Sequence, residues 1–315
     1  MQSIISDKHF HDEAAAYGWV EARVWPKGPI CPHCGATDRI SPMQGKSTRV
    51  GTYKCYQCRK PFTVKIGTIF EASHVPMRHW LQAIHLISCS KKGISANQLH
   101  RILGCTLKTA WFIGHRIREA MKAVGIEPLG GQGKIVEADE TYMGDKAVVT
   151  TRTKRGKSGH SSKRSVVALV ERGGGRVRTF HVNSATQLSV TKILKEHVDP
   201  QSEIHTDESG IYKAVPMFFN GHRVVKHSGG EYVRRERKGI VHTNTVEGCF
   251  LVFKRGMKGT YQHCAEKHLH HYLAEFDFRY NNRIALGVND ETRADRLVKG
   301  IVGKRLTYRT ANERI

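Results

Sequence analysis

A cysteine quartet spaced C-x2-C-x20-C-x2-C, a run of helix-period segments broken by glycine, and a series of short β-runs closed by helices together predict a multidomain chain. The predicted order is an N-terminal zinc ribbon, a helix-turn-helix helical domain, and an α/β domain with a mixed sheet and C-terminal helices. Expected boundaries are 1–75 for the N-terminal segment and ribbon, 76–124 for the helical domain and 125–133 for a linker. The α/β domain is expected over 134–285, followed by a C-terminal tail over 286–315.

The ribbon rests on Cys31, Cys34, Cys55 and Cys58. Each CxxC pair turns in a tight knuckle whose thiolates converge, and two knuckles supply the four soft ligands of a closed tetrahedral Zn2+ site. A redox motif or a disulfide is the competing reading of one CxxC pair, and a second pair at this separation argues against it. Short strands are expected at 49–55 and 61–64, with Gly35, Gly45 and Gly51 at the turns. Such a site does no chemistry itself.

Composition narrows the partner. Fifty-one Lys and Arg stand against 28 Asp and Glu, a net charge of +23, and the 39 % hydrophobic content is that of a globular chain. An excess of that size calls for a polyanion, nucleic acid first. No apolar run reaches the roughly eighteen residues of a membrane span, and the first twenty residues mix Asp, His, Glu and Lys. Neither a membrane segment nor a secretory signal is expected, which makes the cytoplasm the expected compartment. Cys89, Cys105, Cys249 and Cys264 sit among apolar neighbours and are expected as reduced, small hydrophobes.

After the ribbon, 78–89 repeats apolar residues at Trp80, Leu81, Ile84 and Ile87, an amphipathic helix. Ser95 caps a second helix that Gly104 closes, and Thr106 caps a third running through Ala110, Ile113, Ile117 and Met121. Two helices joined by a short glycine-containing turn carry the helix-turn-helix signature. Lys108, Thr109, Phe112, His115, Arg116 and Arg118 are expected on the face opposite the apolar stripe of the third helix, where they would read a DNA groove. An ordinary three-helix unit with a solvated basic side is the competing reading.

Pro128 and three glycines within 125–133 then break the chain. Beyond them come β-runs at 134–142, 164–172 and 176–183, a helix over 186–198, β-runs at 203–206 and 222–227, and amphipathic helices over 244–257 and 265–281. In so basic a chain the acids need explaining. Glu137 and Asp139 point to one face of the first strand and Glu140 to the other, while Asp207 ends the fourth. If these strands are neighbours, Asp139 and Asp207 converge, and two close carboxylates call for a hard cation, Mg2+ or Mn2+. Asn244, Glu247, Leu251 and Lys254 share one face of a later helix and offer a third ligand. Two such ions activate a water or a 3′-hydroxyl for in-line attack on a phosphodiester, and Lys254 is placed to hold a phosphate. Strand-ending acids and a solvated ion pair are the bland alternative. The long basic segment 146–164, with Lys154, Arg155 and Lys157, is expected to contact the DNA backbone, against the alternative of a solvated loop.

Taken together, the chain resembles the zinc-ribbon insertion-sequence transposases of the DDE, RNase-H-like class. The resemblance rests on Trp25-Pro26-Lys27-Gly28 before Cys31-Pro32-His33-Cys34-Gly35, on Gly67-Thr68-Ile69-Phe70, and on the VEADETYMG run at 136–144. Thr206-Asp207 with Tyr212, and the HTNTVE run at 242–247 with Lys254, complete it. It implies a DNA transposase that binds terminal inverted repeats, cleaves the element ends with Mg2+ (or Mn2+), and joins the 3′-OH ends to target DNA. It further implies structural Zn2+, double-stranded DNA as partner, a homodimer or higher homo-oligomer, and a prokaryotic cytosol or nucleoid location. Asp139 and Asp207 become the first two metal ligands. Members use Asn or Glu for the third, and charge favours Glu247, leaving Asn244 as an accessory or alternative ligand. An RNase-H-like nuclease without strand transfer and a non-catalytic zinc-ribbon regulator are the alternatives; the second predicts that removing Asp139 or Asp207 leaves all activity intact.

Overall fold

A computed structural model describes residues 3–123, 127–145, 163–237 and 239–307. They form two compact units, Met1–Lys122 with Val288–Ile315, and Ala123–Gly287.

In the first unit, α1 (Glu13–Val24) starts at Asp12, whose side chain accepts the Ala15 N–H at 2.7 Å. Strands β1 (Ile40–Pro42), β2 (Tyr53–Cys55) and β3 (Pro61–Phe62) form an antiparallel sheet in that order. The strands are shorter than expected, and β1 was not foreseen because proline reads as a strand breaker and is tolerated here only at a sheet edge. Gly51 sets the late start of β2: it has φ +69°, and a Cβ there would lie 2.2 Å from the Tyr17 ring.

Helix α2 (Met77–Cys89) buries Trp80, Leu81, Ile84 and Ile87. Pro76 offers its first turn no side-chain cap, and Glu13 of α1 supplies the acceptor, taking the Met77 N–H at 2.7 Å and the Arg78 N–H at 3.3 Å. Helix α3 (Ala96–Leu103) is capped by Ser95 and closed by left-handed Gly104. Helix α4 (Leu107–Met121) is capped by Thr106. All three match the periodicity, and α3 and α4 match the capping residues.

The second unit is a five-stranded mixed sheet, ordered β6-β5-β4-β7-β8. Strands β4 (Ile135–Asp145), β5 (Lys163–Glu171) and β6 (Val177–Val182) run antiparallel. After α5 (Gln187–His197), β7 (Glu203–Asp207) lies parallel to β4, and β8 (Gly221–Val225) parallel to β7. A hairpin of β9 (Val233–Glu236) and β10 (Gly239–His242) leads into α6 (Asn244–Gly256), and α7 (Leu269–Asn281) follows. The hairpin was not foreseen, since its Arg-rich strands lack the alternating apolar pattern.

Period-2 alternation divides two cores across this sheet. Val136, Ala138, Val167, Leu169 and Ile204 pack with Val190 and Leu194 of α5. Val166, Ala168 and Val170 pack with Val246, Phe250 and Phe253 of α6 and Leu273 and Phe276 of α7. The parity of β4 follows: 136 and 138 face α5, so Glu137 and Asp139 face α6.

Back in the first unit, α8 (Asp290–Lys299) is capped by the Asn289 side chain on the Thr292 N–H at 2.8 Å and buries Ala294, Leu297 and Val298. The stretch expected as a tail therefore contains a helix, whose apolar stripe is too narrow to stand out among its charges.

Candidate active site and zinc site

The four ribbon sulfurs lie within 4.8 Å of one another, with Cys31 Sγ to Cys58 Sγ at 3.6 Å and Cys34 Sγ to Cys55 Sγ at 3.7 Å. Tetrahedral Zn–S bonds of about 2.3 Å put the sulfurs roughly 3.8 Å apart, so the quartet fits the ion without rearrangement. All four are free thiols. Backbone N–H groups of Cys58 and Gln57 draw the Cys55 thiol down to about 7. Desolvation and the neighbouring sulfurs of Cys31, Cys58 and Cys55 hold Cys34 up at about 12, the crowding of four thiols that a cation would relieve. Trp25, Tyr53 and Phe62 pack edge-to-face and stacked beside the knuckles at 5.8 Å between centroids, a small apolar base under the sulfurs.

In the second unit the parallel register pairs Glu137 with His205. Two residues further on the same faces stand Asp139 and Asp207, so both carboxylates meet on the α6 side of the sheet. The half-buried Asp139 carboxyl is pushed up to about 8, first by burial and then by the charges of Glu140, Asp207 and Glu247. Burial also raises Asp207 and Glu140. Three carboxylates that each hold the first one protonated form a site that a divalent cation would relieve, and oxygen donors with solvent access suit Mg2+ or Mn2+.

Helix α6 brings the third carboxylate. Glu247 is in its first turn, where its oxygen accepts the Thr243 hydroxyl at 3.1 Å and lies 3.5 Å from His227 Nε2. Asn244, at the first helical position, is exposed, and its backbone N–H donates to His242 Nδ1 at 3.3 Å. Asp139, Asp207 and Glu247 thus lie near enough for the charges of the last two to act on Asp139.

Three further residues of the site were not foreseen. Glu140, expected on the opposite face of β4, is there, but its charge still reaches Asp139, and it accepts the buried Tyr212 hydroxyl at 2.8 Å. His227 and Thr243 flank Glu247. Only the spacing of Tyr212 from Asp207 signalled any of this, because loop polar residues carry no periodicity.

Next to the carboxylates opens a cleft of about 660 Å³, walled by Tyr142, Lys163, Arg164, Lys254, Met257 and Lys258 among others. Tyr142 belongs to both places: the charges of Glu140, Asp207 and Asp139 raise its phenol after burial does. Lys254 therefore faces a cationic cleft beside the acids. The wall ends in a π-turn, Met257–Tyr261, and at Gln262, whose φ of 55° is a strained conformation for a side chain with a Cβ.

The predicted groove-reading face of α4 needs correction. Lys108 is exposed and Thr109 and Phe112 are partly so, but His115, Arg116 and Arg118 are buried. Arg116 donates to the carbonyls of Ile69 and Glu71, both at 2.8 Å, and of Leu306 at 3.1 Å. Its guanidinium ties the segment after the ribbon to the C-terminal stretch of the same unit. A helical-wheel reading treats arginine as solvent-facing, whereas a long apolar stem lets it reach inward when carbonyls await the head group. Lys154, Arg155 and Lys157 lie outside the described residues.

Residues 128–281 match the ISXO2-like transposase domain, and residues 11–61 match the transposase zinc-ribbon domain. An uncharacterized protein in transposable element ISH50 of Halobacterium salinarum is 26 % identical over 284 residues, 86 % of this chain and 92 % of that one. A chain in a cryoEM structure of the simian T-cell lymphotropic virus intasome with PP2A regulatory subunit B56 gamma aligns over 57 % of this chain and 67 % of its own. Its identity is 14 % and its TM-score 0.29, a likeness too slight to carry an argument. Among the described residues no helix is long and apolar enough to cross a membrane.

Proposed function

We propose, for a chain that belongs to the zinc-ribbon, ISXO2-like insertion-sequence transposases, that it cuts and joins DNA at the ends of a mobile element. It binds the terminal inverted repeats, cleaves them by phosphodiester hydrolysis, and transfers the freed 3′-OH ends to target DNA in line. The observation that carries this reading is the carboxylate cluster at Asp139, whose carboxyl is held near 8 first by burial and then by the charges of Glu140, Asp207 and Glu247.

Asp139, Asp207 and Glu247 are the residues we assign to the cation. These three carboxylates would hold Mg2+ or Mn2+, two per site, and the chemistry so supplied would be charge neutralisation on the phosphodiester and activation of the attacking oxygen. Thr243 and His227 orient Glu247. Lys254 and its cationic neighbours in the cleft hold the substrate phosphates. In the first step water oxygen bonds to phosphorus as the 3′ oxygen leaves with a proton. In the second, that hydroxyl attacks a target phosphodiester, so one P–O bond forms for each one broken and no external energy source is needed. Asn244, exposed one turn before Glu247, is assigned an accessory or DNA-contacting role.

The ribbon, with structural Zn2+, and the helix-turn-helix of α3 and α4 are assigned to recognition of the ends. Lys108, Thr109 and Phe112 are the groove-facing residues. Holding two ends together calls for a homodimer or larger assembly, and the reaction belongs in a cytosol that gives access to the nucleoid.

The test uses a duplex carrying the element's own terminal repeats. Asp139→Asn, Asp207→Asn and Glu247→Gln should each abolish cleavage and joining while leaving end binding intact, and Asn244→Ala should keep most of both. Cleavage that survives Asp139→Asn overturns the assignment, and cleavage without joining in the parent protein reduces it to a nuclease.

A further inference from the structure

Two residues before Asp139, on the same face of β4, stands a carboxylate that the proposed chemistry does not use. Glu137 has no exposed surface at all. One of its oxygens accepts from Arg172 Nε and from the Thr245 hydroxyl, both at 2.8 Å. The other accepts the backbone N–H groups of Thr245 at 2.9 Å and Val246 at 3.0 Å. Those N–H groups open α6, where the helix has no donors' partners of its own and its dipole favours an anion. Thr243, the cap residue, supplies no side-chain cap, and its hydroxyl turns to Glu247 instead. The cap of α6 is thus a residue of the sheet.

Arg172 fixes Glu137 from the other side. Its remaining nitrogens donate to the carbonyls of Ile240 and His242, both at 2.7 Å, and one reaches His205 Nδ1 at 3.0 Å. Since a guanidinium can only donate, Nδ1 must accept, so the His205 proton sits on Nε2 and points at the Glu203 carboxylate 2.6 Å away. Every member of this buried chain has a partner that specifies its orientation.

We propose that Glu137 is a positioning residue for the carboxylate site: by fastening the start of α6 to β4 it sets the separation of Glu247 from Asp139. Glu137 holds the Val246 N–H, and Asp139, about 6.6 Å along the same strand, lies within reach of the charge of Glu247, the next residue of the helix. A buried anion is a poor choice for stability alone, because desolvation offsets most of its attraction to Arg172. An apolar residue would abandon two N–H groups, a hydroxyl and a guanidinium, and glutamine would present N–H donors to a site made of donors. A carboxylate is the side chain that satisfies all four contacts at once and holds them at fixed angles.

This inference rests on the assignment of Asp139 and Glu247 to the cation, and the experiment separates the two. Glu137→Gln is examined metal-free by amide hydrogen exchange, and with Mn2+ by electron paramagnetic resonance, without DNA. Exchange at residues 245–248 should rise tenfold or more while β5 and α7 stay protected, and Mn2+ should bind 10- to 100-fold more weakly. Activity should return toward the parent's as Mn2+ is raised, with end binding unchanged. If Glu137→Gln does not fold, the charge-neutral pair Glu137→Gln/Arg172→Met is used with the same readouts. Unchanged exchange at the start of α6, or unchanged Mn2+ affinity in a folded variant, overturns the proposal. Asp139→Asn is the control: if that variant binds Mn2+ as the parent does, the cation assignment fails, while the exchange result still decides what Glu137 holds.

Discussion

The ribbon and the carboxylate cluster both gather groups that suit a cation, and they do so by opposite means. The four sulfurs come from one short stretch, are packed against Trp25, Tyr53 and Phe62, and stand at the spacing of a closed tetrahedron. The carboxylates come from β4, β7 and α6, retain solvent access, and repel one another. A closed soft site makes a small module fold, and an open hard site keeps positions free for substrate. The difference teaches that ligand chemistry and ligand origin go together: local ligands suit a permanent ion, and dispersed ligands suit one that must exchange partners.

The largest effect should come from breaking the closed site. Structural zinc contributes about 10–16 kcal/mol in small modules, more than a ribbon's core can replace. Cys55→Ala should therefore release the zinc, measured by elemental analysis, melt the ribbon, and weaken end binding at least about a hundredfold before the carboxylate site is touched. Stoichiometric zinc in that variant would mean that the ion sits elsewhere. The open site should respond in the opposite pattern. Asp139→Asn should lower cleavage roughly a thousandfold or more, with end binding changed little, as gel-shift titration beside a cleavage assay would read.

Between these lies a correction to the way such chains are read. Arg116→Met would leave three carbonyls without their donor and should destabilise the first unit by about 3 kcal/mol. Lys108→Ala, exposed on the same helix, should leave the melting temperature alone and cost about 1 kcal/mol or less of DNA affinity. Equal effects on stability would return Arg116 to the surface.

A smaller effect comes from pH. With its folded pKa raised from 3.8 to about 8, Asp139 contributes stability that is fully present below pH 4 and lost as pH rises through 8, where the carboxyl must ionise beside other anions. In chelator, the metal-free protein should lose on the order of 2 kcal/mol over that window from this group, after allowance for its partial exposure. Asp139→Asn should abolish that part of the slope in thermal melts, and Mg2+ should restore the parent's stability at pH 8. A flat profile in the parent would show that the carboxylates are further apart than their register requires.

How much of this was legible follows from the same contrast. The ribbon ligands could be read outright because their spacing is itself the geometry. Helix α2 could be read from its apolar repeat, and α3 and α4 because Ser95, Gly104 and Thr106 announce their ends. Asp139, Asp207 and Glu247 stood out as acids in a basic chain, yet their convergence depended on β4 and β7 being neighbours, which strand order alone decides. The role of Glu137, the second allegiance of Tyr142 and the inward turn of Arg116 were invisible. Each depends on which partner a side chain meets across the fold, and sequence periodicity reports only the face from which it starts.

The parallel pairing of β4 with β7 has one more consequence. Backbone hydrogen bonds hold neighbouring strands about 4.8 Å apart whatever side chains they carry, and the ladder's last pair, Glu137 with His205, launches Asp139 and Asp207 two residues further on from a fixed interval. The connections between β5, β6, α5 and β7 can lengthen or shorten without altering that starting interval, because pairing and not chain length sets it. The ladder is a ruler that a longer loop does not stretch.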